Sequence, residues 1–250
     1  MALIETVPRP GVGHIPAVVT RDGEVLAPPY DLRSDTLLAV ALCPTRPMLE
    51  AFPGVPFLSL GGKTPVAAWF AKITVGCHRN AAGERECASG RLSIPYCELT
   101  VLAALSEPRA FVPGIYTTSE LVLRIGDLYG MAKRPAHATF PSQGHLFLSH
   151  IQPLTSGRSS FARARILGSG RPLAWLASRM MPFTSPSVLL PARTSVRAVL
   201  PEVRRAHVAL VRDGRLEVGE PWLPRPVPFL PVGLYLRDLW MHMPVPGDLT

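Results

Sequence analysis

One lysine stands out among the residues that could carry chemistry, because lysine is scarce in this chain. Only three lysines, Lys63, Lys72 and Lys133, accompany 23 arginines. Arginine keeps its proton in a protein, whereas lysine can be tuned to a neutral nucleophile. Lys133 lies in the segment Gly-Asp-Leu-Tyr-Gly-Met-Ala-Lys-Arg-Pro-Ala, residues 126–136, at the junction between a predicted helix and a loop. We therefore take Lys133 as the first candidate catalytic residue.

Two further candidates lie on one predicted strand, residues 94–105. Strand alternation places Tyr96, Glu98 and Thr100 on the same face. Glu98 could act as an acid or a base, and Tyr96 could orient a carbonyl group. Each also has an ordinary structural interpretation, because a strand glutamate often pairs with arginine at the surface and a core tyrosine often bonds its hydroxyl locally. The sequence leaves both interpretations open.

A helix is predicted immediately before the candidate lysine. Thr118 or Ser119 can cap its start, and Glu120 is favourable in its first turn. Apolar residues then recur at helical spacing up to Tyr129, and Gly130 is a natural stop. The candidate lysine therefore lies just beyond the end of a helix.

The remaining organisation is that of short elements separated by 28 prolines and 20 glycines. Proline is excluded from helix interiors and from central sheet positions, so this punctuation favours a β-rich fold with many turns over a helical bundle. We predict one domain over residues 1–250. The predicted strands are residues 37–43, 66–75, 94–105, 138–151 and 159–167, with a hairpin of residues 207–212 and 215–218 around an Asp213-Gly214 turn. The other predicted helices are residues 46–52, capped by Thr45, and residues 172–181.

Composition and charge exclude several classes of function. The net charge is +8, but the arginines are scattered and no basic run is interleaved with aromatic residues, which argues against nucleic-acid binding. The longest clean apolar run, residues 37–43, is too short to span a bilayer, so no membrane partner is predicted. We expect a small-molecule partner instead.

The four cysteines, Cys43, Cys77, Cys87 and Cys97, show no Cys-x-x-Cys spacing. The ten-residue gaps that separate Cys77, Cys87 and Cys97 fit no common zinc spacing, and we predict small buried thiols and no metal site. No leader with a charged start and an apolar middle precedes Gly11, which indicates a cytoplasmic, reduced protein.

Residues 94–141 resemble the acetoacetate decarboxylase-like superfamily. In that family a strand and a helix lead into a Gly-x-Pro-Lys motif with the lysine that forms a Schiff base; here the motif reads Gly130-Met131-Ala132-Lys133-Arg134, with Ala132 where proline is usual. In outline the resemblance covers residues 28–243. It implies an α+β, mainly antiparallel fold, a cone-like β-barrel with flanking short helices, and a homo-oligomer. It also implies an apolar pocket around the lysine and no metal or organic cofactor.

The resemblance also points to residues that would contact the substrate. Tyr129 and Met131, which bracket Gly130, are expected to line the pocket wall. Arg134 is next to the lysine, and its charge would favour the neutral amine if it faced the same pocket. The family's arginine position falls at Ser34, with Arg33 one residue away.

The pocket acids of the decarboxylating members have no secure match in this chain. Lys72 or Ile73 falls where one acid is expected, and Ala88 falls near the place of the other, with Glu86 two residues earlier. The resemblance therefore favours the branch of aldolase-dehydratases and cyclases over acetoacetate decarboxylation itself. The predicted function is a lyase or cyclase that acts on a keto-containing metabolite through a Schiff base at Lys133.

Two alternatives remain open from the sequence. In the first, an apolar pocket shapes a polyketide-like substrate for a cyclisation in secondary metabolism, and Lys133 only donates a hydrogen bond. In the second, the protein binds a hydrophobic ligand without catalysis, and Lys133 pairs with the carboxylate of that ligand.

Overall fold

Most of the described chain is β-strand, which agrees with its frequent prolines and short apolar runs. The structure is a computed structural model. It describes residues 2–9, 13–88, 92–103, 109–131, 133–140, 142–143, 146–153, 160–169, 187–189, 195–197 and 200–245.

Sixteen strands and two helices lie in these residues. The strands are β1 Leu3–Arg9, β2 Gly13–Val19, β3 Val25–Pro44, β4 Lys63–Arg79, β5 Arg85–Cys87, β6 Ile94–Ala103, β7 Arg109–Thr117, β8 Lys133–Thr139, β9 Ser142–Gln143, β10 Leu146–Pro153, β11 Ser160–Ser169, β12 Ser187–Leu189, β13 Ser195–Arg197, β14 Leu200–Leu216, β15 Val227–Pro228 and β16 Val232–Met243. The helices are α1 Thr45–Ala51 and α2 Glu120–Leu128.

The described strands join one mixed sheet. Its main path runs β1-β2-β3-β16-β14-β11-β10-β8-β7-β6-β4-β5, and β3 also pairs with β4. Most neighbours are antiparallel, but β7 is parallel to β8 and to β12. A parallel pair needs a long crossover connection, and helix α2 supplies the one between β7 and β8. The helix therefore lies directly before the strand that begins with the candidate lysine.

The sheet buries side chains on both of its faces. What we call the first face carries Leu37, Phe70 and Cys97, which belong to the largest buried cluster. The second face carries Tyr96 and Ile115, whose cluster also contains the buried residues of α2. Tyr96 and Cys97 are neighbours on β6, so the alternation of faces that the sequence predicts for this strand is confirmed.

Local sequence signals explain both ends of α2. The Ser119 hydroxyl accepts a hydrogen bond of 3.3 Å from the backbone N–H of Val122, which confirms the predicted cap. After the helix, Gly130 has a φ of +68°, a conformation that glycine adopts without strain. The Met131 N–H donates to the Gly126 carbonyl at 2.8 Å, which closes the end of the helix and turns the chain into β8.

Several predicted elements differ from the structure. The predicted strand 138–151 is the hairpin of β8 and β10, which pair antiparallel with His150 opposite Thr139. The predicted turn at Asp213-Gly214 is wrong, because β14 continues to Leu216 while it pairs with β11 and β15. Helix α1 begins at Thr45, whose hydroxyl bonds to Ser59 and Thr64 instead of capping the helix. Local turn and cap signals were overridden here by partners distant in sequence.

The cysteine prediction is half wrong. Cys77 and Cys87 form a disulfide between β4 and β5, because the strand register places them directly opposite each other. Cys43 and Cys97 are free and buried, as predicted. Since disulfides are rare in cytosolic proteins, the cysteines no longer support the interpretation of a reduced, cytoplasmic chain.

In the part of the chain that the structure describes, no helix combines the length and the apolar character needed to cross a bilayer. The predicted helix 172–181 and the residue Ala132 of the lysine motif lie outside the described residues.

Candidate active site

The register of three neighbouring strands places Lys133 and Glu98 on the same face of the sheet. Glu98 of β6 is directly opposite Ile115 of β7, and Ile115 is directly opposite Lys133 of β8. Residues opposite each other on paired strands point to the same face, so all three lie on the second face. Strands lie about 4.8 Å apart, so two strand spacings, about 10 Å, separate the backbones of Lys133 and Glu98. Their long side chains can meet above Ile115, which is buried.

The Lys133 side chain runs from the start of β8 along helix α2 to Tyr96. Its Nζ lies 5.5 Å from the centroid of the Tyr96 ring, within range of a cation–π contact. Burial lowers the pKa of the Lys133 amine to about 8, against the opposing charges of Glu98 and Asp127. The residue as a whole is half-buried, so solvent still reaches part of it.

The Glu98 carboxyl is held by two neighbours on its own strand. The Tyr96 hydroxyl donates a hydrogen bond of 2.5 Å to Glu98 Oε2, and the Thr100 hydroxyl donates a longer one of 3.4 Å to Oε1. Burial raises the pKa of Glu98, although the Tyr96 bond, the Lys133 charge and the Thr100 bond all act to lower it. Burial also raises the pKa of Tyr96, and the charge of Glu98 adds to that effect. Tyr96 therefore acts as the donor in this pair.

Burial thus shifts the pKa values of the lysine and the carboxyl toward each other. Each shift raises the neutral fraction of its group, because burial disfavours both the ammonium form of Lys133 and the carboxylate form of Glu98. Titratable pairs perturbed in this way are typical of functional sites. Chemically, the pair offers a candidate nucleophile and a candidate proton donor on the same face of the sheet.

Apolar residues surround this pair on the second face. Met131 and Ile115 are buried in the same cluster as Tyr96. Tyr129 belongs to that cluster too, but its hydroxyl donates to the backbone carbonyls of Met243 at 3.2 Å and Pro244 at 2.6 Å. Met131 therefore lies in the buried apolar cluster that contains Tyr96, while the Tyr129 hydroxyl anchors the end of β16.

The two arginines predicted to bind substrate each pair with an acid other than Glu98. Arg134 follows Lys133 on a strand, so it points to the first face, where it pairs with Glu220. The charge of Arg134 also opposes the burial that raises the pKa of Tyr116 to about 12. Arg33 pairs with Asp238 of β16, with an Nε to Oδ1 distance of 2.8 Å. The interactions of both guanidinium groups thus join them to acids outside the Lys133 pair.

Three contributors to the site were missed in the sequence. Thr100 was placed on the correct face without a role, and Asp127 was seen only as part of the motif segment. Gly126 was also missed, although a glycine inside a helix of strong helix formers is a readable signal. Among the described residues, no three His, Cys, Asp or Glu side chains are grouped to hold a metal ion.

Comparison with known proteins gives matches in structure alone. No protein-family model matches the chain, and no curated protein matches it significantly. A crystal structure of acetoacetate decarboxylase from Legionella pneumophila is 14% identical, with a TM-score of 0.57 over 88% of this chain and 86% of that chain. The enduracididine biosynthesis enzyme MppR, solved with pyruvate, is 13% identical, with a TM-score of 0.57 over 91% of this chain and 93% of that chain.

A third structure is an acetoacetate decarboxylase-like enzyme from Sphingomonas wittichii RW1. It is 13% identical, with a TM-score of 0.50 over 87% of this chain and 91% of that chain. The agreement extends over most of each chain, although the sequences have diverged almost completely. The chain therefore has the acetoacetate decarboxylase-like fold, in a form whose sequence is divergent.

Proposed function

We propose that this protein is an enzyme that acts on a keto-containing small molecule through a Schiff base at Lys133. The observation that carries the proposal is the buried Lys133 amine, whose pKa is lowered to about 8, beside the Tyr96–Glu98 hydrogen bond. At pH 7 such an amine is neutral in about one molecule in ten, whereas an ordinary lysine is neutral in roughly one in 3,000. The site thus supplies a nucleophile at neutral pH.

The reaction begins with attack of the neutral Lys133 amine on the carbonyl carbon of the substrate. Glu98, in its protonated form, donates a proton to the carbonyl oxygen, and loss of water leaves an iminium joined to Lys133. The iminium accepts the electron pair of a bond to the neighbouring carbon, either carbon–carbon or carbon–hydrogen. After a carbon–carbon bond breaks, that carbon takes a proton from Glu98 or water. After a carbon–hydrogen bond breaks, the proton passes to the Glu98 carboxylate, and the enamine either expels the hydroxyl group of the next carbon as water or bonds to an electrophilic carbon of the substrate. Hydrolysis of the iminium by water then releases the product and restores the amine.

The bond that breaks next to the iminium determines the reaction class. A carbon–carbon bond makes the enzyme an aldolase-type lyase or a decarboxylase, and a carbon–hydrogen bond leads to dehydration or cyclisation. The two arginines predicted to contact substrate are paired with acids, and Ser34, at the family's arginine position, is buried and bonded to Thr36 at 3.1 Å. These departures favour the lyase and cyclase chemistry over acetoacetate decarboxylation itself.

The fold neighbours support this choice of substrate class. One is an acetoacetate decarboxylase and another is a biosynthesis enzyme bound to pyruvate, and both compounds contain a keto group. We further propose that the sheet closes into the cone-like barrel of this family, which the additional pairing of β3 with β4 supports. A single domain, a homo-oligomer and a small-molecule partner in place of nucleic acid belong to the same proposal and rest on the resemblance and the scattered arginines.

The test is to trap the intermediate. The protein is incubated with pyruvate or acetoacetate, reduced with borohydride, digested and analysed by mass spectrometry. We expect the reduced adduct on the peptide that contains Lys133, its absence in Lys133→Met, and its retention in Lys63→Gln, where an exposed lysine is replaced. An adduct spread equally over the three lysines, or one that persists in Lys133→Met, would contradict the proposal.

Two alternative functions are also compatible with the apolar lining of the site, and each has its own test. If the protein is a cyclase that acts by shape, Lys133→Met retains much of the turnover of its substrate, whereas an enzyme that needs the Schiff base loses nearly all of it. If the protein only binds an acidic ligand, affinity falls as pH rises through the pKa of Lys133, because the neutral amine no longer attracts a carboxylate.

A further inference from the structure

Helix α2 contains one residue that weakens it. The sequence Glu120–Leu128 consists of ordinary or strong helix formers apart from Gly126, which is buried in the last turn. A glycine inside a helix costs roughly 0.5–1 kcal/mol relative to alanine. Such a residue needs a compensating reason, and its neighbours provide one.

The space beside Gly126 is filled by the candidate catalytic lysine. A Cβ atom at position 126 would lie 2.6 Å from Cδ, 2.7 Å from Cγ and 2.8 Å from Cε of Lys133. These three atoms are the nearest neighbours of that position, and all lie closer than real Cβ contacts allow. Even alanine would therefore displace the lysine stem or the helix.

The same residue fixes the start of the strand that carries the lysine. The Gly126 carbonyl accepts the backbone N–H of Tyr129 at 3.0 Å and that of Met131 at 2.8 Å. Lys133 is two residues after Met131 and is the first residue of β8. Gly126 therefore positions Lys133 in two ways. Its carbonyl fixes the backbone just before the lysine, and its lack of a side chain makes room for the stem of the lysine side chain.

We propose that Gly126 is a positioning residue for Lys133: its missing side chain leaves the slot that lays the lysine stem against α2 and directs the amine to Tyr96 and Glu98. As a claim about catalysis, this inference rests on the proposed function. As a claim about where the amine lies, it stands on the packing alone. Glu98 from β6 and Asp127 from α2 are the charged groups that act on the amine in this position.

A thermodynamic cycle tests the slot without any substrate. Thermal unfolding is compared for the unmodified protein, Gly126→Ala, Lys133→Ala and the double variant. We expect Gly126→Ala to lower Tm when Lys133 is present and to raise it in the Lys133→Ala background, where alanine only improves the helix. Equal shifts of Tm in both backgrounds would overturn the inference. If Gly126→Ala alone does not fold, a double variant that folds supports the clash, and one that does not fold refutes it.

A second measurement reads the position of the amine. Trace acetylation with acetic anhydride across a pH series, followed by mass spectrometry of the Lys133 peptide, gives the pKa of this amine. We expect Gly126→Ala to move that pKa up from about 8 toward the ordinary value, because the displaced amine regains water. The matched control is Gly76→Ala, whose new Cβ makes only ordinary contacts with Leu92 and Leu32, at 3.4 and 3.7 Å. An unchanged pKa in Gly126→Ala, or an equal shift in Gly76→Ala, would overturn the inference.

The catalytic consequence is read separately. If the unmodified protein forms the borohydride-trapped adduct with pyruvate, Gly126→Ala should slow adduct formation by about 100-fold, the usual cost of a small misplacement. Gly76→Ala should form the adduct at the original rate, and a full rate in Gly126→Ala would contradict the catalytic role. If the unmodified protein forms no adduct, the proposed function fails, while the unfolding cycle and the acetylation profile still decide whether Gly126 positions Lys133.

Discussion

The Tyr96 hydroxyl donates a hydrogen bond of 2.5 Å to Oε2 of Glu98. Tyr96 and Glu98 are two residues apart on β6, so strand alternation alone brings them to the same face. This bond lowers the pKa of Glu98 against the effect of burial, and it fixes one carboxyl oxygen. Tyr96 therefore controls both the orientation and the protonation of the acid beside Lys133.

Replacing Tyr96 by phenylalanine should raise the pKa of Glu98 further, because a bond to its ionised form is lost. The pH at which activity changes with Glu98 ionisation should then move upward, and kcat should fall by about 10–100-fold as the acid loses its orientation. The pH dependence of kcat/KM measures both effects. Tyr30→Phe is the control, since it removes a similar buried hydroxyl that donates to the Leu26 carbonyl at 2.7 Å. Equal pH profiles for the two variants would contradict the role of Tyr96.

Replacing Glu98 by glutamine should lower the pKa of Lys133 below about 8. The charge of Glu98 raises the lysine pKa, so its removal leaves burial less opposed. The variant should therefore hold more neutral amine at pH 7 and still lose activity, because the proton donor is gone. Acetylation of Lys133 across pH measures the first effect and turnover measures the second. A lysine pKa that rises or stays constant would show that the two groups do not interact.

Replacing Arg134 by glutamine should affect stability and not the chemistry. Its partner Glu220 is mostly buried, so the loss of this ion pair should lower the free energy of unfolding by about 1–3 kcal/mol. Denaturant unfolding gives that loss, and Arg134→Lys should recover part of it by keeping the charge. Trapping of the Schiff base in the glutamine variant should proceed as in the unmodified protein. A KM that rises selectively for acidic substrates would instead return Arg134 to the pocket.

The disulfide predicts a simple thiol count. Of the four cysteines, Cys77 and Cys87 are joined, so titration of the denatured protein without reductant should find two free thiols. After reduction it should find four. The Cys77→Ala/Cys87→Ala variant should unfold with roughly 2–4 kcal/mol less stability, because the unfolded chain regains its freedom. Four free thiols before reduction would contradict the pairing.

The elements predicted correctly are those whose signals are local. The Ser119 cap, the Gly130 stop and the alternation of Tyr96, Glu98 and Thr100 each depend on a few neighbouring residues, and the structure contains all of them. The motif resemblance also led to the correct fold.

The elements predicted wrongly depend on register or on distant partners. The Asp213-Gly214 pair has the composition of a hairpin turn, yet β11 and β15 hold it within a strand. Cys77 and Cys87 face each other only once β4 and β5 are aligned. Arg134 was expected beside Lys133 because the two are adjacent in sequence, but adjacency on a strand sends them to opposite faces. Pairing between strands, which a single sequence does not display, decided each case.

The pKa of the Lys133 amine distinguishes the proposed nucleophile from an ordinary solvated lysine, and it can be measured cleanly because the chain has only three lysines. A protein labelled with ¹³C at the lysine ε-carbon should give three lysine resonances, for Lys63, Lys72 and Lys133. We expect the resonance that disappears in Lys133→Met to titrate with a midpoint near 8, because burial disfavours its charged form. A midpoint near 10.4, the value of a lysine in water, would contradict the account, because the amine would then be a solvated cation unable to attack a carbonyl.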